Sequence, residues 1–226
     1  MKPEESQAFE YLSSLGFKEI VYEPDGKVPP DFLLNRIIAV EVRRLNQHFV
    51  KSDGTVEGLE TSRIAVIRMV KNILSSLSLS TKGQSWFVNI RFRRPLPAYS
   101  ELRKKIQAAL FRMEDEPETE KKIFISPNFR LSLLRASHAH SQRFLLGGCS
   151  DMDCGGWLGS ELQRNVQIAV EEKTKKIEKR RSNYPEWWLI LVDQVGYGME
   201  EPFSVKHDWD KVVLINPQQP SQGYEV

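Results

Sequence analysis

Cysteine is scarce: two in 226 residues, Cys149 and Cys154, cannot supply a disulfide framework, which suits a reducing compartment. Long apolar runs are missing as well. The longest, Trp187 to Val192 and Ile37 to Val40, fall far short of the ~18 residues a membrane span needs. The amino-terminal MKPEESQAFEYL carries acidic residues where a signal peptide needs an apolar core, so a cytoplasmic location is expected. Charge of one sign is lacking too: 32 Lys+Arg against 30 Asp+Glu give a net +2, so any nucleic-acid partner must be argued from local patches. There is no GxxxxGK[ST], no GxGxxG and no GxSxG, which disfavours a nucleotide-driven motor, a dinucleotide enzyme and a serine hydrolase elbow. No internal repeat is found. What is present is a 40% share of hydrophobic residues, enough for the core of one large domain or of a domain with an insertion.

Local patterning predicts an α/β chain. Ala8, Leu12 and Leu15 share one helical face over residues 3–15, and Gly16 supplies a stop. A β-branched run over 18–22 reads as a strand, and 23–30 is turn chemistry. Residues 31–45 read as two strands joined at Asn35-Arg36, the second the more buried. Residues 46–58 look like a polar loop. Helices are predicted over 61–79, with Ile64, Ile67, Val70, Ile73, Leu74 and Leu77 as the apolar stripe, over 99–112, and over 158–181. Strands are predicted over 84–92, 122–126, 129–134, 186–193 and 211–215. An acidic, proline-marked break covers 114–120, residues 136–156 resist assignment, and the Pro/Gln/Ser/Gly-rich tail from Asn216 is expected to fray. The chain is read as a single domain, with a core over 3–45 and 158–216 and an α/β insertion over 46–157.

The sharpest chemical signal is Pro30-Asp31 followed ten positions later by Glu41-Val42-Arg43. Glu41 interrupts an apolar strand, IIAVEV, where a carboxylate costs free energy unless it is paired, hydrogen-bonded or bound to a metal. Strand alternation puts Ile37, Ala39, Glu41 and Arg43 on one face and Ile38, Val40 and Val42 on the other. A two-residue turn would pair Asp31 with Val40 and separate the carboxylates. A three-residue loop, Asn35 to Ile37, pairs Leu34 with Ile38 and Asp31 with Glu41, so an odd-length loop or a bulge is expected. Two carboxylates side by side suit a hard cation such as Mg²⁺, which activates water and neutralises charge on a phosphate. Arg43 points the same way; it cannot act as a base but can hold a phosphate or stabilise developing charge. The alternative is an edge-strand Asp and a Glu41–Arg43 pair with no function.

The Pro30-Asp31…Glu41-Val42-Arg43 pattern resembles the signature of the PD-(D/E)XK nuclease superfamily, the restriction-endonuclease-like fold. The order helix, three strands, helix, strand over about 3–45 and 158–193 resembles that family's core. The resemblance implies a mixed central sheet flanked by helices, with Asp31 and Glu41 as ligands of a divalent metal, Mg²⁺ or Mn²⁺. It also implies a lysine that orients or activates water. This sequence has Arg43 where the family usually has that lysine, so either the role has moved or the site has decayed, and some members place the lysine on a neighbouring helix. Lys173 is the candidate. It falls between Ala169 and Ile177 on the stripe Leu158, Leu162, Val166, Ala169, Ile177, where a lysine must snorkel or meet a buried partner. Lys176 comes next, one turn on. Glu5, at −3 and −7 from Ala8 and Leu12, is the candidate further acid, with a surface role at the helix N-terminus as the plainer reading.

Basic clusters offer phosphate contacts. Arg91, Arg93 and Arg94 end one strand, and Lys175, Lys176, Lys179, Arg180 and Arg181 form a second stretch that Glu171, Glu172 and Glu178 partly offset. His138, His140, Cys149 and Cys154 are zinc-ligand types at a spacing that fits no structural-zinc pattern. Asp151 and Asp153 read as turn residues, Asp193 as a turn cap, His48 as a surface-loop residue, and Trp187 and Trp188 as packing. The expectation is therefore a metal-dependent nuclease with DNA as substrate. Asp31, Glu41, Arg43 and Lys173 carry the chemistry, and Arg91, Arg93, Arg94 and Lys176 contact nucleic acid. No membrane is expected and a homodimer is left open. The alternatives are a catalytically degenerate member of the fold that binds nucleic acid or protein, and an unrelated α/β protein whose two carboxylates are structural.

Overall fold

The computed structural model describes residues 1–77, 84–113, 119–199 and 203–226. The end of the predicted helix, 78–79, and residues 114–118 of the acidic break lie outside the described residues. In chain order the elements are α1 (Pro3–Ser14), β1 (Ile20–Tyr22), β2 (Phe32–Leu34), β3 (Ile38–Leu45), β4 (His48–Val50), β5 (Val56–Gly58), α2 (Leu59–Ser76), β6 (Trp86–Phe92), α3 (Tyr99–Phe111), β7 (Glu120–Ser126), β8 (Phe129–Arg135), β9 (Phe144–Asp151), α4 (Leu158–Ile177), a 3-10 turn (Glu178–Asn183), β10 (Glu186–Asp193), β11 (Lys211–Asn216) and β12 (Gln219–Glu225). The chain is mixed α/β and divides into two compact units, residues 1–47 with 155–226, and residues 48–154. Among the described residues no helix is long and apolar enough to cross a membrane.

The first unit is a six-stranded sheet in the order β1-β2-β3-β10-β11-β12. The pairings β3–β10 and β10–β11 are parallel and the others antiparallel. Strand alternation sorts its side chains into two layers. Ala39, Leu45, Leu189, Leu191, Val212 and Leu214 pack with Leu162, Val166, Ala169 and Ile177 of α4. Val40, Val42, Ile190, Val192, Val213 and Ile215 pack with Ala8 and Leu12 of α1. Because β10 has parallel neighbours and a helix over each face, its WWLILV run is apolar throughout and fully or nearly fully buried. Each such Leu, Ile or Val contributes about 1.5–3 kcal/mol relative to exposure.

Local chemistry starts and stops these elements. Pro3 opens α1, and the Glu5 carboxylate accepts from the Lys2 backbone N–H at 2.7 Å, satisfying a donor at the helix N-terminus. Gly16, at φ +81°, takes the left-handed position after the helix and returns its N–H to Ser13 O at 3.1 Å. Helix α4 stops at Ile177, short of the predicted 181, and continues as the 3-10 turn. Asp193 ends β10 by accepting from the N–H groups of Val195, Gly196 and Gly198 at 2.9, 2.8 and 3.1 Å, the turn cap expected of it. The tail does not fray: Gln219–Glu225 adds an antiparallel strand to the edge of β11. Gly223 is required there, because a Cβ would meet Leu214 O at 2.8 Å and the Tyr11 ring at 3.0 Å.

The second unit is a four-stranded sheet, β7-β8-β6-β9, with α2 and α3 against one face. Trp86, Val88, Ile90 and Phe92 of β6 and Phe129, Leu131 and Leu133 of β8 point into that core with Val66, Val70 and Ile73 of α2 and Leu102, Ile106 and Leu110 of α3. The stripe of α2 runs through Val66, and Ile64, expected in the core, is exposed. Residues 46–58, read as a polar loop, contain the hairpin β4–β5, and His48 is buried rather than a surface residue. Strand β9 lies inside the segment that resisted assignment; there Gly147 lets the Asn89 side chain approach, since a Cβ would meet its Oδ1 at 2.7 Å.

Candidate functional site

The geometry of the carboxylate pair begins with the turn between β2 and β3. Leu34 pairs with Ile38 and Phe32 with Val40, so the connection is the three-residue loop Asn35–Ile37, closed by Ile37 N–H on Leu34 O at 3.0 Å. Asn35 and Arg36 adopt left-handed φ values of +47° and +64°, a conformation Asn tolerates better than most residues. That odd count leaves Asp31, one step beyond Phe32, beside Glu41. Asp31 donates its N–H to Val40 O at 2.9 Å, and its Oδ2 accepts the Val42 N–H at 2.7 Å.

Glu41 sits on the α4 face of β3 and has no exposed surface. Helix α4 supplies its partners. Lys173 Nζ donates to Glu41 Oε2 at 2.6 Å and to Val42 O at 2.7 Å, and lies 3.9 Å from Asp31 Oδ2. Lys176 Nζ donates to the same Glu41 Oε2 at 3.0 Å. The site thus brings together Asp31, Glu41, Lys173 and Lys176, two negative and two positive groups. Their exposure differs: the Lys173 side chain is 10% exposed and that of Lys176 46%.

The electrostatics follow from burial and crowding. Burial pushes the Asp31 carboxyl above its ordinary value and the charge of Glu41 adds to the rise; Lys173, the Val42 N–H and Lys176 only partly offset it. Burial pulls the Lys176 ammonium down, but the hydrogen bond and charge of Glu41 outweigh it and hold the group above its ordinary value. Glu41 Oε1 is buried and has no hydrogen-bond partner among the described residues, a costly state for an anionic oxygen.

The remaining candidates separate. Arg43 is on the face of Glu41 but pairs with Glu172 of α4. Glu5 is buried in a cluster of its own, where Lys2 Nζ and Tyr22 OH each donate to it at 2.8 Å. Burial would raise its carboxyl, but the Lys2 and Tyr22 hydrogen bonds outweigh that and hold it down at about 2. Lys176, expected on nucleic acid, is instead on Glu41. Arg94 departs from the surface role expected of it. Its guanidinium is buried, gripped in bidentate fashion by Asp151 at 2.8 and 2.8 Å, with further bonds to Asp153, Ser62 Oγ and Leu59 O, so every N–H is spent inside the second unit. Arg91 and Arg93 are exposed.

Sequence reasoning missed Asp151 and Asp153 as partners of Arg94, since both were read as turn residues. It also missed Glu172, which lies three residues after Ala169 with no apolar signal to place it. Comparison with protein-family models, curated proteins and solved structures finds no match.

The site fits a hard divalent cation. It offers two adjacent carboxylates, one orphaned carboxylate oxygen, and a main-chain carbonyl, Val42 O, already gathered around a cationic ammonium. Among the described residues no group of three or more His, Cys, Asp or Glu side chains is placed to hold a metal, so further ligands would come from Val42 O and water.

Proposed function

We propose that the chain is a divalent-metal-dependent phosphodiesterase acting on nucleic acid, with DNA as substrate, built on a restriction-endonuclease-like core. The observation that carries this reading is the meeting of Asp31, Glu41 and Lys173, with Lys173 Nζ 2.6 Å from Glu41 and 3.9 Å from Asp31. The arrangement of α1, three antiparallel strands, α4 and a strand parallel to the third supports the core. When bound, Mg²⁺ or Mn²⁺ would supply Lewis acidity and lower the pKa of a water. Asp31 and Glu41 would hold it. Lys173 fills the role that Arg43 cannot: its stem is fixed in the core, two of its three N–H bonds go to Glu41 and Val42, and the third remains for water or a phosphate oxygen. Lys176, half in solvent, can leave Glu41 when a cation arrives.

A second reading, a nuclease-fold protein that binds without cutting, is favoured by one observation. Lys173 and Lys176 already balance Asp31 and Glu41, so the site is neutral without metal. The deciding experiment is cleavage of plasmid and single-stranded DNA with Mg²⁺ or Mn²⁺, comparing wild type with Asp31→Ala, Glu41→Ala and Lys173→Ala. Metal-dependent cutting lost in all three supports the enzyme. Absence of cutting, together with no heat of Mn²⁺ binding in calorimetry, leaves the binding-only protein.

A further inference from the structure

The sheet of the second unit has a second face. Strands β6, β7 and β8 bury one side under α2 and α3, and alternation turns Arg91, Arg130 and Phe124 to the other. The register sets Phe124 opposite Arg130 and Arg130 opposite Arg91, so the three form one row across adjacent strands. Arg93 extends the same face. Its backbone N–H bonds Asn128 O at 3.1 Å, carrying the pairing one step past β6, and it stands about 6.7 Å along the strand from Arg91.

Like charges directly opposite on a sheet repel. Here no carboxylate among the described residues pairs with Arg91, Arg93 or Arg130. Arg91 Nε donates to Met152 Sδ at 2.8 Å and Arg93 Nε to Asn128 Oδ1 at 3.1 Å, both uncharged acceptors that orient the guanidinium and leave its charge in place. Asp153 is the acid of the depression these residues line, and its Oδ2 is taken by the backbone N–H and guanidinium of Arg94 at 2.6 and 3.1 Å. The row ends in Phe124, which is 76% exposed. Arg94 balances only one of its two carboxylate partners, Asp151 and Asp153, so the three arginines face one surplus negative charge and keep a positive excess. That excess beside a bared aromatic ring forms the two halves of a known recognition chemistry, cations for a phosphate backbone and a π-face for a base.

We propose that this face binds single-stranded nucleic acid, with Arg91, Arg93 and Arg130 on the phosphates and Phe124 stacked on an unpaired base. A duplex hides its base faces and presents only edges in its grooves, so Phe124 selects for single strands. A plain polyanion would engage the arginines alone. The inference deepens the nuclease reading by naming the strandedness of its substrate. Binding measured without metal keeps the two apart: failure of the nuclease reading leaves this binding intact, and failure of this inference leaves Asp31-dependent cleavage intact.

The test is fluorescence anisotropy of the full chain in EDTA with labelled oligo-dT, the matching duplex, and polyphosphate as competitor. Wild type binds oligo-dT more tightly than duplex. Phe124→Ala weakens oligo-dT binding about tenfold, the size of one lost base–aromatic stack, and leaves polyphosphate competition unchanged. Phe124→Tyr restores it. Arg91→Gln and Arg130→Gln each weaken both ligands and lower the slope of log K against log salt by about 0.7. The inference is overturned if oligo-dT does not bind, if duplex binds as tightly, or if all of these variants, folded by circular dichroism, bind as wild type does. It is overturned equally if Phe124→Ala weakens polyphosphate as much as oligo-dT.

Discussion

The Lys173 ammonium lies 2.6 Å from Glu41 Oε2, tying a helix to a strand 132 residues away in sequence at a point where the carboxylate has no exposed surface. A buried ion pair is weak evidence of net stability, but removing one partner strands the other. Lys173→Met should therefore cost up to about 3–5 kcal/mol in urea unfolding, toward the lower end because Lys176 still reaches Glu41. The double variant Lys173→Met/Glu41→Gln should recover most of that loss. If the double variant is as unstable as the single, the cost comes from lost lysine packing and not from a stranded charge.

Asp31 gives a pH dependence of definite sign. Its carboxyl is raised in the folded chain, by burial first and then by the charge of Glu41. The folded state therefore binds a proton more tightly than the unfolded one, and ionisation of Asp31 weakens the fold as pH rises above the unfolded value of about 3.9. Without metal, Asp31→Asn should match wild type below about pH 4 and exceed it in melting temperature at pH 6–7. Mn²⁺ should raise the wild-type melting temperature at pH 7 and leave Asp31→Asn unmoved. A variant less stable than wild type at neutral pH would show that the Val42 and Lys173 contacts outweigh burial.

Arg94 predicts the largest effect in the second unit. Its five N–H groups serve Asp151, Asp153, Ser62 and Leu59 O, and its side chain and that of Asp151 are both almost completely buried. Arg94→Met should destabilise by about 3–5 kcal/mol, since it leaves Asp151 buried and unpaired. Arg94→Lys should recover little, because an ammonium cannot reproduce the bidentate fork. Asp151→Asn combined with Arg94→Met should be far less than additive in denaturant titrations.

What could be read from the sequence depended on whether the determining interaction was local. The carboxylate pair was legible because three loop residues, Asn35–Ile37, fix the register and the register fixes the faces. Lys173 was legible because a charged residue broke a helical stripe. Arg94 was misread because Arg91, Arg93 and Arg94 look like one cluster in the sequence, whereas Arg93 and Arg94 project differently and the acids that capture Arg94 come from β9. That strand, FLLGGCSD, has neither clean alternation nor strand-forming composition. The tail likewise lacks strand formers: β12 exists because β11 offers an unpaired edge, and Gly223 is legible as necessary only once Leu214 O and Tyr11 are seen against it.

Lys176 decides how a cation would enter. It shares Glu41 Oε2 with Lys173, yet its side chain is 46% exposed, so it can retreat to water while Lys173 cannot. Burial lowers its pKa and Glu41 more than restores it, so the ammonium stays charged throughout pH 6–9 and deprotonation never clears the site. A divalent ion must compete with that charge directly. At solvent-like screening a unit charge about 4 Å from a divalent ion costs about 2 kcal/mol, so Lys176→Ala should tighten Mn²⁺ binding by roughly tenfold or more in calorimetry. The gain should shrink as salt rises, because an exposed charge is screened. Lys176→Arg should bind Mn²⁺ as weakly as wild type. Weaker binding in Lys176→Ala would instead make this lysine a support for the Glu41 conformation that a metal requires.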